Sequence, residues 1–161
     1  MDPITAVLAF TGLASSLITI VDTIFEVSKK LLELQQKYKD APRKILQLHH
    51  DLQNLRALVI AIQAQLSCNE AMDYPYPPAL RAVCESFAVQ LEQDLQELEK
   101  IVNRSNTESN SLISKGFKAQ ARQALAETTI NEFRGRISTH IGYLSMAQTL
   151  INKWVSVRSI L

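Results

Sequence analysis

Apolar residues recur along this chain at steps of three and four, not two, and that spacing predicts helices rather than strands. Leu13, Leu17, Ile20, Ile24, Val27, Leu31, Leu34 and Tyr38 form an a/d seam over more than three heptads. Ile18, Val21, Phe25 and Leu32 make a second stripe beside it. The pattern predicts one helix from Pro3 to about Tyr38, with Asp2 as its cap and Pro3 in its first turn. Its front half is apolar on most faces, as in a central helix surrounded by others. Its back half carries Lys29, Lys30, Glu33 and Lys37 on an outer face.

Asp40, Ala41 and Pro42 mark the next junction. Pro42 biases Ala41 away from helical angles, and Asp40 supplies a cap. Ile45, Leu48, Leu52, Leu55, Val59, Ile62 and Leu66 then alternate steps of three and four through a second helix. Ser67 through Pro78, with Asn69, Asp73 and three prolines, reads as a break. Leu80, Cys84, Phe87, Leu91, Leu95, Leu98 and Val102 give a third apolar face, and Arg104–Ser111 reads as an exposed polar loop. Lys115 to about Glu127 reads as a short basic helix, and Thr129 with Glu132 as a capping box for the last long helix. That helix's face is Ile130, Phe133, Ile137, Ile141, Leu144, Ala147, Ile151 and Trp154. The expected fold is all-α: one domain over residues 1–161, an antiparallel bundle of four long helices plus a short basic one.

Composition agrees with that pattern. Four Gly and five Pro are too few for the many turns of a β-sandwich or barrel. A net charge of +1 gives no global attraction to nucleic acid. Cys68 and Cys84 cannot build a disulfide framework, so free thiols in a reducing cytosol are expected. Charge is nonetheless uneven: residues 70–99 hold seven acids against only Arg81, and residues 111–161 hold seven bases against Glu127 and Glu132. Two readings stand: solvated helix faces of opposite sign lying side by side, or a basic surface for anionic lipid held in check by the acidic third helix.

Candidate chemistry is sparse. There is no Gly-rich phosphate loop and no G-x-S-x-G. His49 and His50 are adjacent, so they point about 100° apart on a helix and do not share a metal as an i, i+4 pair would. His140 stands alone in an apolar helix, and the cysteines lack C-x-x-C spacing. Structural or surface roles are expected for all of these, with no catalytic residue, metal or cofactor. The nineteen residues from Pro3 to Val21 carry no charge, which is just enough to span a bilayer. No basic region precedes them as in a secretory signal. Thr5, Thr11, Ser15, Ser16 and Thr19 dilute their apolarity, which favours a buried helix over a constitutive span.

The opening MDPITAVLAFTGLASSLITIVDTIFE, the junction YKDAPRKILQLHHDLQNLRALV and the basic turn KGFKAQARQ resemble the HeLo-like group of fungal N-terminal domains. These stand ahead of nucleotide-binding STAND (NLR-type) receptors and related cluster proteins. One departure is Phe117, where members often place Trp. The resemblance implies a cell-death effector domain of fungal innate immunity and incompatibility, activated by oligomerisation and release of the first helix into the plasma membrane. A distant analogue is the N-terminal bundle of the mixed-lineage kinase-like pseudokinase. Carried over by position, the membrane-inserting candidates are Ile4, Val7, Leu8, Phe10, Leu13, Leu17, Ile18 and Val21. Lys115, Lys118 and Arg122 are the candidates for facing anionic lipid. The implied partners are the chain itself, a downstream NLR-type domain or partner protein, and anionic lipids, with no nucleic acid. The chain then reads as the N-terminal part of a larger cytoplasmic protein that relocates to the plasma membrane. The alternative is an interaction and oligomerisation bundle that regulates a downstream domain and never touches lipid.

Overall fold

The computed structural model describes residues 3–37, 43–70, 76–110 and 126–158, and within them the side chains of 13, 15–36, 43–68, 76–106 and 126–157. They form four helices and no strand: α1 (Pro3–Lys37), α2 (Arg43–Glu70), α3 (Pro78–Asn110) and α4 (Glu127–Arg158). The protein is an all-α bundle. Pro42, Ala41 and Asp40 at the first junction, Tyr38, and the basic segment from Lys115 lie outside the described residues.

The polar contacts fix the helix directions. Ser28 of α1 faces His49 of α2, and Phe25 faces Arg56, so those two run antiparallel. Lys30 pairs with Glu99 of α3, while Leu17 lies beside Phe87, so α1 and α3 run parallel. Asp51 meets Arg134 and Gln65 meets Asn152, which makes α2 and α4 parallel as well. The chain therefore runs up, down, up, down. Around the bundle the order is α1–α2–α4–α3, with α2 and α3 across one diagonal and α3 and α4 meeting most sparsely.

The predicted seams form the core. Leu13 through Leu34 on α1, Ile45 through Leu66 on α2, and Leu91, Leu95, Leu98 and Val102 on α3 are all buried in one cluster. On α4, Ile130, Phe133, Ile137, Leu144 and Ile151 join it, with Ile141 and Trp154 packed at its margin. Each fully buried Leu or Ile contributes about 1.5–3 kcal/mol of transfer free energy, which outweighs the weak preferences of single polar residues.

That balance explains where the structure departs from the pattern. The break expected from Ser67 begins later, because α2 continues through Asn69 to Glu70. Serine and asparagine cost only tenths of a kcal/mol in a helix, whereas the prolines enforce the stop. Pro78 then opens α3 at a position where its missing N–H costs nothing. Arg104–Ser111 is not a loop up to Asn110: α3 runs on to that residue, and Ser105 is 0% exposed, donating to the Ile101 carbonyl at 3.0 Å. Ser105 stands three residues after Val102 and prolongs the seam as a small residue whose hydroxyl is satisfied by its own helix.

The capping box is also displaced. Glu127, expected to end a short helix, opens α4, and the Ile130 N–H donates to the Ala126 carbonyl at 3.1 Å. Thr129 thus lies within the first turn, and Glu132 bonds Arg136 instead of the backbone. Finally, α1 is not surrounded. Its main neighbours are α2 and α3 only. Ile18 and Phe25 of the second stripe are 49% and 48% exposed, and the Arg56 guanidinium lies over the Phe25 ring at 5.3 Å.

Candidate functional site

The sparse α3–α4 seam leaves a groove of about 660 Å³. Val83, Cys84 and Phe87 of α3 form one wall, Tyr143, Met146 and Leu150 of α4 the other, with Leu17 and Ile62 reaching it from α1 and α2. The α4 wall has a sequence cause. That helix bears two apolar rows, the inward seam and an outer one of Tyr143, Met146, Leu150 and Val157 at steps of three, four and seven. The outer row is unpacked: Met146 is 62% and Val157 61% exposed.

A polar cluster closes one end. His140 is 5% exposed, and its Nε2 lies 2.6 Å from Asp94 Oδ2. The carboxylate accepts, so Nε2 carries the hydrogen. Arg136, one turn earlier on α4, donates to Asp94 Oδ1 at 3.3 Å, to Glu97 at 2.7 Å and to Glu132 at 2.5 Å. The hydrogen bonds to Glu97 and then Glu132 raise the already high pKa of Arg136, so it is a fixed cation. The Phe87 ring meets the His140 imidazole edge-on at 5.2 Å. His140 Nδ1 is buried and has no hydrogen-bond partner among the described residues.

The remaining candidates have quieter surroundings. Burial raises the pKa of Cys84, and neighbouring Glu85 adds to that, so its thiol stays protonated and weakly nucleophilic. Cys84 and Cys68 are both free thiols. His49 Nδ1 lies 3.3 Å from the Ser28 carbonyl, and its ring meets His50 edge-on at 5.8 Å. Among the described residues no group of three or more His, Cys, Asp or Glu is placed to hold a metal.

The sequence-derived membrane candidates do not share one environment. Leu13 and Leu17 are in the core, Val21 packs at its margin, and Ile18 faces out. Ile4, Val7, Leu8 and Phe10 belong to α1, but their side chains lie outside the described set, as do Lys115, Lys118 and Arg122 entirely. Among the described residues no helix is long and apolar enough to cross a membrane. Of the two charge readings, the side-by-side one describes what is seen, since α3 acids pair with Arg136 of α4 and Lys30 of α1.

Sequence reasoning missed the Asp94–His140 pair, although a signal existed. His140 stands three residues after Ile137 and four before Leu144, and Asp94 three after Leu91, so both sit at seam positions. Two polar residues inside two facing seams predict a buried pair. Tyr76 was hidden in the proline cluster, yet it is buried against Trp154, ring centroids 4.8 Å apart.

Fold and site together define a four-helix bundle with an apolar groove and a buried acid–histidine pair at its end. The chain belongs to the family described as pigment biosynthesis cluster protein PigL N-terminal, whose model matches residues 9–155. Neither a curated protein nor a solved structure shows significant similarity to it.

Proposed function

We propose that this is a non-enzymatic interaction bundle that self-associates and so regulates a downstream or partner domain. The observation that carries this reading is the outer row of α4, where Tyr143, Met146, Leu150 and Val157 stand exposed at heptad spacing. Such a row on a rigid helix is the half of a helix–helix seam that awaits its other half. Lys153, at the remaining seam position, sets register by charge. A second copy supplies a matching row about a two-fold axis. Sedimentation velocity over a concentration series tests it. The wild-type chain should associate, and Met146→Glu or Leu150→Lys should hold it monomeric with an unchanged helical spectrum. A chain that stays monomeric at its highest soluble concentration overturns the reading.

A second reading rests on α1. The charge-free stretch Pro3–Val21 opens the first helix, and Ile18 already faces outward. With the resemblance to HeLo-like domains, this supports a cytoplasmic effector of regulated cell death whose first helix is released to the plasma membrane on oligomerisation. Leu13 and Leu17 would leave the core, which costs about 1.5–3 kcal/mol each unless lipid replaces the contacts. Dye release from anionic liposomes is the assay. Val7→Glu and Leu8→Lys should abolish release, since a charge at membrane depth costs about 2.5–3.5 kcal/mol on insertion scales. Neutralising Lys115, Lys118 and Arg122 should weaken liposome binding. No binding or leakage by the oligomerised wild-type chain removes this reading.

A further inference from the structure

We infer that the α3–α4 groove is a binding site for a neutral aromatic molecule bearing a hydroxyl group, which it donates to His140 Nδ1. Four observations lead there. The first is volume: about 660 Å³ falls in the ~300–1,000 Å³ range that takes small organic ligands. The second is the wall, where Phe87, Tyr143 and Leu150 offer aromatic and aliphatic surface to a flat apolar body.

The third is a single unmet polar group. His140 lines the groove and is 5% exposed, and Asp94 holds the hydrogen on its Nε2. The neutral imidazole therefore presents a lone pair at Nδ1, which has no partner among the described residues. A buried acceptor without a partner costs free energy, and a ligand hydroxyl recovers it. The fourth is charge. Asp94, Glu97 and Glu132 surround the one cation Arg136, and its hydrogen bonds are all spent on them. An anionic head group finds excess negative charge there, so a carboxylate is refused and a neutral donor is accepted.

This inference is independent of self-association, and the state of association is read in the same samples so that the two stand or fall separately. The probes are 1-naphthol, naphthalene and 1-naphthoate, titrated into the full chain by calorimetry at the lowest workable protein concentration. Histidine labelled with ¹⁵N follows the ring nitrogens. We expect 1-naphthol to bind roughly three- to tenfold tighter than naphthalene, the worth of one neutral hydrogen bond. It should move the His140 Nδ1 resonance while Nε2 stays put, and 1-naphthoate should bind weakest. His140→Phe should bring naphthol and naphthalene to equal affinity. Because that variant leaves Asp94 without its partner, Ser86→Trp gives an independent check. Ser86 is exposed on the groove wall, and the indole should fill the space and abolish binding of all three probes without disturbing the core. No binding of 1-naphthol up to its solubility limit overturns the inference. So does equal affinity for naphthol and naphthalene in the wild-type chain, or retention of binding in Ser86→Trp.

Discussion

Replacing Asp94 with alanine tests whether the acid–histidine pair is an energetic unit. Asp94 is 8% exposed and His140 is 5% exposed, and they meet at 2.6 Å across the α3–α4 seam. Removing the carboxylate deprives the Nε2–H of its acceptor while Nδ1 is already without a partner, so the ring would be buried with both nitrogens unmet. Breaking a buried pair from one side costs about 3–5 kcal/mol, a large part of the ~5–15 kcal/mol stability of a typical domain. Replacing both partners with apolar residues of similar volume removes the polar demand altogether. Asp94→Leu with His140→Phe should therefore lie within about 1 kcal/mol of wild type, and Asp94→Asn, which keeps an acceptor, should fall between. Arg136 retains Glu97 and Glu132 in all three. Urea titrations read by far-ultraviolet dichroism give the numbers: with a slope near 2 kcal/mol per molar, Asp94→Ala lowers the midpoint by roughly 2 M. A loss under about 1 kcal/mol for Asp94→Ala, or additive losses in the double variant, would refute the reasoning.

Three further outcomes follow from the packing. Leu55→Ala, at a fully buried position on α2, should cost about 2–5 kcal/mol in the same titration, through lost burial plus a cavity. Tyr76→Ala should cost about 3–5 kcal/mol and shift the emission of Trp154, the only tryptophan, to longer wavelength as water reaches the indole. Iodoacetamide should alkylate exposed Cys68 first. Burial favours the neutral thiol of Cys84, so its alkylation should rise only at a pH above the ordinary thiol range. Equal rates with one shared pH profile would contradict that placement.

What the sequence made legible follows from which forces act locally. The seams of α1, α2 and α4 could be read residue by residue, because helical spacing and burial are the same fact viewed twice. Leu52, Leu55, Val59 and Ile62 were expected inside and are buried. Helix ends were legible where proline imposed them, at Pro3 and Pro78, and not where only polar composition suggested them, at Ser67 or Arg104. Polarity says that a residue can face water, whereas Ser105 shows that neighbouring seam positions decide whether it does. The site was less legible still. Phe25 and Met146 have the composition of core residues, and only the packing partners present or absent around them put them outside. The groove exists because α3 and α4 are held by α1 and α2 more than by each other, a property of the assembly that no single helix encodes.

That arrangement also sets the order in which the molecule forms and comes apart. The α1–α2 contact joins residues as close as 21 apart in the chain, from Ser28 to His49. The α1–α3 contact at Lys30–Glu99 spans 69, and the α2–α4 contacts at Asp51–Arg134 and Gln65–Asn152 span 83 and 87. Loop closure makes the first of these cheap and the others progressively slower, so the α1–α2 hairpin is the natural nucleus onto which α3 and α4 dock later. Opening runs the other way, beginning where the bundle is least knit, along α3 and α4. In native-state hydrogen exchange the amides of the α2 seam should therefore be the last to trade their protons, and those flanking the groove the first.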